Sequence, residues 1–205
     1  MNDLLTLKDV QLDALREVAN IGGGHAATAL SQLTGSTIMI TVPTIHITRL
    51  EDVPLQLGDG EEPVAAVLMH VMGDLTGRTL LVFPQQTALR MAQLVLHRPE
   101  VAADFGALEQ SAIKEAGNIL AGAYMNALSE FMGLMLLPSP PSLTVDMSAA
   151  ILTTAHLQFG SERDLVISVE TQFLLGDRAE QLRGFFLLLP DMAALHAILR
   201  AIRVA

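Results

Sequence analysis

The chain has 205 residues, with 22 acidic against 12 basic side chains and a net charge of −10. No Lys/Arg cluster stands out, which argues against nucleic acid and anionic membrane as partners. With no cysteine in it, a disulfide framework and a thiolate metal site are both excluded.

Half of the residues are apolar (51%) and the mean hydropathy is +0.44, yet no apolar run approaches the roughly 20 residues of a membrane-crossing helix. The excess is read as a well-filled core. The opening MNDLLTLKDV has an early Asp and no basic stretch before an apolar one, so it does not read as a secretory leader, and the cytoplasm is the expected compartment.

In chain order, Leu12, Leu15, Val18, Ala19, Ala26, Ala29, Leu30 and Leu33 fall on one side of a helix at 100° per residue, predicting a helix from Leu12 to about Leu33. Gly22, Gly23 and Gly24 interrupt it, either bending it or letting another backbone come close, and Gly35 ends it. Ser36–Leu50 is rich in β-branched residues and reads as a strand carrying Pro43, which implies an edge or a distortion. Glu51–Leu57 reads as a short helix and Gly58–Pro63 as a loop. Val64–Met72 and Arg78–Phe83 form a hairpin through GDLTG, followed by an amphipathic helix over Gln85–His97. After a connection at Arg98–Asp104, a helix runs from about Phe105 to Phe131. Pro138–Pro141 is extended. Asp146–Phe159 reads as a helix capped by Asp146. Leu165–Leu174 and Gln181–Leu189 form a second hairpin, and Asp191–Ile202 closes the chain as a helix.

The chain carries one pattern twice. Asp13, Glu17, Asn20 and Pro43 recur as Ser111, Glu115, Asn118 and Pro141, all at an offset of 98 residues. Phe83-Pro84 before a helix recurs as Leu189-Pro190 before a helix, at an offset of 106. Each half is therefore helix, strand region, hairpin, helix. The fold class expected is α+β: one pseudo-two-fold duplicated domain over 1–205, made of repeats at about 9–97 and 105–203, with a mainly antiparallel sheet and helices packed on it.

Asp13, Glu17 and Asn20 lie at i, i+4 and i+7, within about 60° of one another on a helix and roughly opposite its apolar stripe. Ser111, Glu115 and Asn118 repeat this, with Leu108, Ala112, Ala116, Ile119 and Ala123 on the side expected to be buried. Such a row has no nucleophile and no water-excluding pocket, so it is poor at catalysis alone. It becomes useful when docked into another protein's active site, where an Asn amide orients an attacking water and a Glu pairs with a cation. Other signals carry less. Gly22–Gly24 lacks the strand before it and the Lys-Ser/Thr after it that a phosphate loop needs. Gly24 recurs as Gly122, which suggests close packing. The six histidines show no metal-ligand spacing.

The paired D-x3-E-x2-N-x22-P and S-x3-E-x2-N-x22-P, with EVANIGGGHAATALSQLTG and KEAGNILAGAYMNALSEFMG around them, resemble the CheC family of bacterial chemotaxis phosphatases, over essentially the whole chain. The resemblance implies hydrolysis of the aspartyl phosphate of the response regulator CheY. Asn20 and Asn118 would orient the water, Glu17 and Glu115 would pair with the regulator's active-site lysine, and Asp13 and Ser111 would support. Pro43 and Pro141 would shape the adjoining strands. It places the magnesium in the regulator, so no metal or other cofactor is assigned to this chain. It also implies CheD, a receptor deamidase, as a second partner. The helix starting at Asp146, read only in the second half, is the docking element suggested for it. The reading from another class is a non-catalytic chemotaxis adaptor that sequesters a response regulator or CheD.

Overall fold

A computed structural model of the chain describes residues 9–49, 52–53, 61–159, 165–176 and 180–204. Helix α1 (Asp9–Thr34) is followed by strands β1 (Ile38–Ile40), β2 (Thr44–Arg49), β3 (Pro63–Gly73) and β4 (Gly77–Pro84), and by helix α2 (Gln85–Val95). The second half repeats the order with α3 (Ala107–Met132), β5 (Leu136–Pro138), β6 (Ser142–Met147), α4 (Ser148–Phe159), β7 (Leu165–Leu175), β8 (Glu180–Pro190) and α5 (Met192–Val204). The first helix and both strands after it keep the offset of 98 in their bounds. The short helix and loop read over 51–63 lie mostly outside the described residues.

All eight strands join one antiparallel sheet, in the order β1, β7, β8, β4, β3, β5, with β2 beside β1 on β7 and β6 beside β5 on β3. The halves are interleaved. The leading strands of the first half pair with the hairpin of the second, and those of the second pair with the hairpin of the first. The two hairpins meet at the centre through β4 and β8. Neither half closes its own sheet, which is why two half-size repeats, each too small to bury much surface, share one core.

Strand alternation gives the sheet two apolar faces. Ala65, Val67, Leu81, Phe83, Val169, Phe173, Phe186 and Leu188 face the helices, where they join Leu15, Leu30, Ile113 and Leu120 in the main core. Val64, Ala66, Leu80, Val82, Phe185 and Leu187 face the other way and form a smaller core with Ile151 of α4 and with Val53. Val53 and Ile151 are themselves related by the offset of 98, so the first half also sends a residue to the place that α4 fills in the second.

This alternation corrects the repeat alignment. Leu81 and Phe186 both face the helices, an offset of 105, and Ala65 and Ile167 do so at 102. Matching Pro84 with Pro190 at 106 would turn every strand residue to the opposite face, because the side-chain period of a strand is two.

The prolines break their strands as a residue without an N–H must. Pro43 divides β1 from β2 along β7, and Pro141 divides β5 from β6 along β3. In each gap one backbone bond bridges the break: Thr41 N–H donates to Gln172 O (3.1 Å) and Ser139 N–H to His70 O (2.8 Å).

Two further expectations are corrected. Asp146 does not cap a helix: it pairs with Val64 inside β6, its Oδ1 accepts the N–H of Met147 (2.7 Å), and α4 starts at Ser148. The six-residue ladder with β3 satisfies more backbone groups than an earlier helix start would. The three glycines do not interrupt α1, which is helical throughout. Both long helices then end in the same way, on Gly35 (φ 64°) and Gly133 (φ 65°), left-handed positions that glycine occupies at least cost.

Candidate functional site

Helices α1 and α3 lie side by side on the main core, and their sequences set how each is rotated. On α1 the inward stripe is Leu15, Val18, Ala26 and Leu30; on α3 it is Ala112, Ile113, Ala116 and Leu120, all buried. Glycine brings α3 close to the sheet: a Cβ at Gly117 would lie 2.9 Å from Val67 Cγ1. That rotation turns the residues at i, i+4 and i+7 of the duplicated pattern outward.

Asp13, Glu17, Ser111, Glu115 and Asn118 are accordingly exposed, and Asn20 is half-buried. Glu17, Asn20, Glu115 and Asn118 have no hydrogen-bond or ion-pair partner among the described residues. Asp13 differs, because its Oδ1 accepts from Arg16 Nη1 one turn along at 2.7 Å. That pair is open to solvent and stabilises little. Ser111 has no carboxylate to place there. The outcome is two raised polar rows, one on each helix, whose carboxylates and amides are free to meet another molecule.

Two positions flanking the rows differ from expectation. Leu108, read as buried, is 57% exposed, and so is its repeat counterpart Val10, at 66%. Their neighbours Gln11 and Glu109 are buried instead, with Glu109 held by Arg98. The tally of apolar letters could not show that the first turn of both helices inverts the usual pattern. The second is Gly24 and Gly122: a Cβ at either would meet nothing within 4 Å. The close approach expected there belongs to Gly22, where a Cβ would lie 2.8 Å from Tyr124 Cδ1, and to Gly23, where it would lie 2.2 Å from Ile40 Cδ1.

A cleft of about 560 Å³ lies apart from the rows, lined by Thr34, Ser36, Arg90, Gln93, His97 and Arg98 among others. Its arginines are already engaged. Arg90 makes a two-pronged pair with Glu180 (2.8 and 2.7 Å), which holds its guanidinium above the usual arginine value. Arg98 bonds to Glu109. The cleft thus joins α2 to the second hairpin and carries little spare charge.

An α+β duplication with paired Glu/Asn rows on its two long helices defines a class of protein that presents polar rows on a surface rather than in a pocket. Residues 10–47 and 108–145 match the CheC-like family, two segments at the same offset of 98. The chain is 32% identical over 188 residues, 90% of each protein, to the CheY-P phosphatase CheC of Bacillus subtilis. It is 30% identical over 138 residues to the flagellar motor switch phosphatase FliY of the same organism, covering 66% of this chain and 35% of FliY. The crystal structure of Thermotoga maritima FliY shares the fold at a TM-score of 0.78 over 97% of this chain and 98% of that one, with 22% identity. The FliM middle domain from H. pylori shares it at 0.66, with 15% identity, over 95% and 99% of the two chains. The chain belongs to the CheC family.

Proposed function

We propose that the chain is a phosphatase that removes the aspartyl phosphate of a CheY-type response regulator. The observation that carries this is the pair of unengaged Glu/Asn rows, at equal spacing on two helix faces, in a chain 32% identical to a CheY-P phosphatase over 90% of its length.

In this reading a row enters the regulator's active site. The amide of Asn20 or Asn118 holds a water in line with the acyl phosphate. Water oxygen bonds to phosphorus as the bond from phosphorus to the aspartyl oxygen breaks. The regulator's carboxylate leaves with that electron pair, inorganic phosphate is released and a water proton passes to solvent. Glu17 or Glu115 pairs with the regulator's lysine and fixes the docked geometry. Asp13 and Ser111 stand one turn before the Glu and support it. The magnesium that offsets phosphoryl charge belongs to the regulator.

The test is the rate of CheY-P dephosphorylation by wild type and by the Asn20→Ala, Asn118→Ala double variant. Positioning of this kind is worth on the order of 10²-fold, and equal rates for the two would leave only sequestration. CheD as a second partner rests on the family resemblance and on α4, the helix described only in the second half. Asp146 is exposed just before it. Capture of CheD that survives Asp146→Lys would remove that residue from the contact.

A further inference from the structure

We propose that each Glu/Asn row is the centre of a longer docking line for the response regulator, with an apolar anchor seven residues before the Glu and a glycine clearance seven residues after it. The line is Val10–Glu17–Gly24 on α1 and Leu108–Glu115–Gly122 on α3. This rests on the phosphatase reading of the rows and names how the same site holds its substrate.

Residues seven apart on a helix differ by only about 20° in direction, so each trio lies along one line about 20 Å long. All three members repeat at the offset of 98. At its start, Val10 and Leu108 are 66% and 57% exposed while the next residues, Gln11 and Glu109, are 9% and 6% exposed. The helix hides a polar group and shows an apolar one, in both copies. The inward Glu109 is accounted for by its pair with Arg98, but Val10 and Leu108 join neither apolar core, and an outward apolar side chain that brings no packing gain points to function.

At the other end the chain keeps a glycine inside a helix, where it is disfavoured, twice. Neither glycine is needed for internal packing, since a Cβ on either would meet nothing within 4 Å. Neither is needed for backbone freedom, since neither adopts a positive φ. What glycine supplies there is a low spot on the outer surface, one turn past the Asn, where a partner's backbone can approach without striking a side chain. The occupant is the regulator because the line passes through the Glu that the phosphatase reading sets against it.

The experiment uses single-row backgrounds of the full chain, with docking and chemistry both removed from the other row: Glu115→Lys with Asn118→Ala to read α1, and Glu17→Lys with Asn20→Ala to read α3. Into these go Val10→Glu or Gly24→Leu, and Leu108→Glu or Gly122→Leu. Two quantities are measured, steady-state hydrolysis of CheY-P and equilibrium binding of beryllofluoride-activated CheY, with melting temperature as a control on folding. The expected result is a KM and a Kd raised about 10-fold or more, the scale of one lost apolar contact or one misfitting group. The kcat should change less than KM, and the two Gly→Leu variants should melt at or above the temperature of their parents. A glycine kept for internal structure would instead lower the melting temperature. Unchanged KM and Kd in all four variants overturn the proposal while leaving the phosphatase reading intact. A wild type that binds activated CheY without hydrolysing CheY-P overturns the phosphatase reading, and the Kd values still decide the line. A wild type that does neither overturns both.

Discussion

Gly22 of α1 sits against Tyr124 of α3 so closely that a Cβ on the glycine would lie 2.8 Å from Tyr124 Cδ1 and 3.0 Å from its Cα. A ring edge can turn, but a backbone atom in a packed helix cannot give way without moving the helix. The contact sets the spacing of the two helices that carry the rows. Gly22→Ala should therefore destabilise the fold by about 1–3 kcal/mol, the cost of overpacking. Gly24→Ala, two residues on and in open space, should stabilise it by about 0.5–1 kcal/mol, because alanine is the better helix former. Urea unfolding of the two variants checks the opposite signs.

Tyr124 gives a direct spectroscopic handle, since the chain has one tyrosine and no tryptophan. Its ring stacks on Phe186 with centroids 4.8 Å apart, and its hydroxyl shares a 2.8 Å hydrogen bond with Thr171 Oγ1. Burial pushes the phenol above its ordinary value of 10.0, and the hydrogen bond to Thr171 opposes this. The folded state thus holds the proton more tightly than the unfolded state. The stability gained is fully present below pH 10.0, the ordinary value, and is lost as pH rises from there through the folded value. Phenolate absorbance should appear later in the native protein than in urea. Native titration at or below the unfolded curve would contradict the burial.

Tyr124→Phe keeps the stack but leaves the buried Thr171 hydroxyl without its partner. The expected loss is about 1 kcal/mol, up to 3 if no water replaces the phenol, read from unfolding at pH 7. The alkaline destabilisation described above should disappear in the same variant.

Asp191 begins α5 from the turn between β8 and that helix. Its Oδ1 accepts the N–H of Ala194 (2.8 Å) and its Oδ2 accepts the hydroxyl of Thr76, from the first hairpin. The Ala194 bond first, and the Thr76 bond second, hold its carboxyl below the ordinary 3.8. Asp191→Ala should cost about 1 kcal/mol at neutral pH, as for other helix caps. The wild-type advantage is present above pH 3.8, the ordinary value, and should shrink as pH falls through the lowered folded value. A difference that stays constant into acid would rule out the charged cap.

The exposed rows should behave differently from all of these. Asn20→Ala and Asn118→Ala remove side chains with no partner among the described residues, so stability should stay within about 0.5 kcal/mol of wild type. Each single variant should keep the hydrolysis supplied by the other row, and only the double variant should lose it. Matched melting curves with unmatched CheY-P decay rates are the expected outcome.

Much of the fold was legible because it is local. The hairpin at GDLTG, the glycine end of the first long helix and the outward direction of the Glu/Asn rows all follow from periods of two and 3.6 and from turn chemistry. Asp146 misled because a cap residue before an apolar stretch reads as a helix start, whereas a ladder with β3 kept it in a strand. Leu108 misled because its apolar letter was weighed above its phase: seven residues before Glu115, it points within about 20° of that outward side chain and is exposed.

The sequence by itself determined that the chain is a duplication and that each copy turns its Glu/Asn row away from the apolar stripe, since relative direction on a helix depends only on spacing along the chain. Only the tertiary structure decided that the halves exchange strands, that their registers run at 102 and 105 rather than 106, and that Gly22 rather than Gly24 is the point of contact. Those facts concern which distant segment lies alongside which. That is settled by fitting both faces of one sheet at once, and no local pattern contains it.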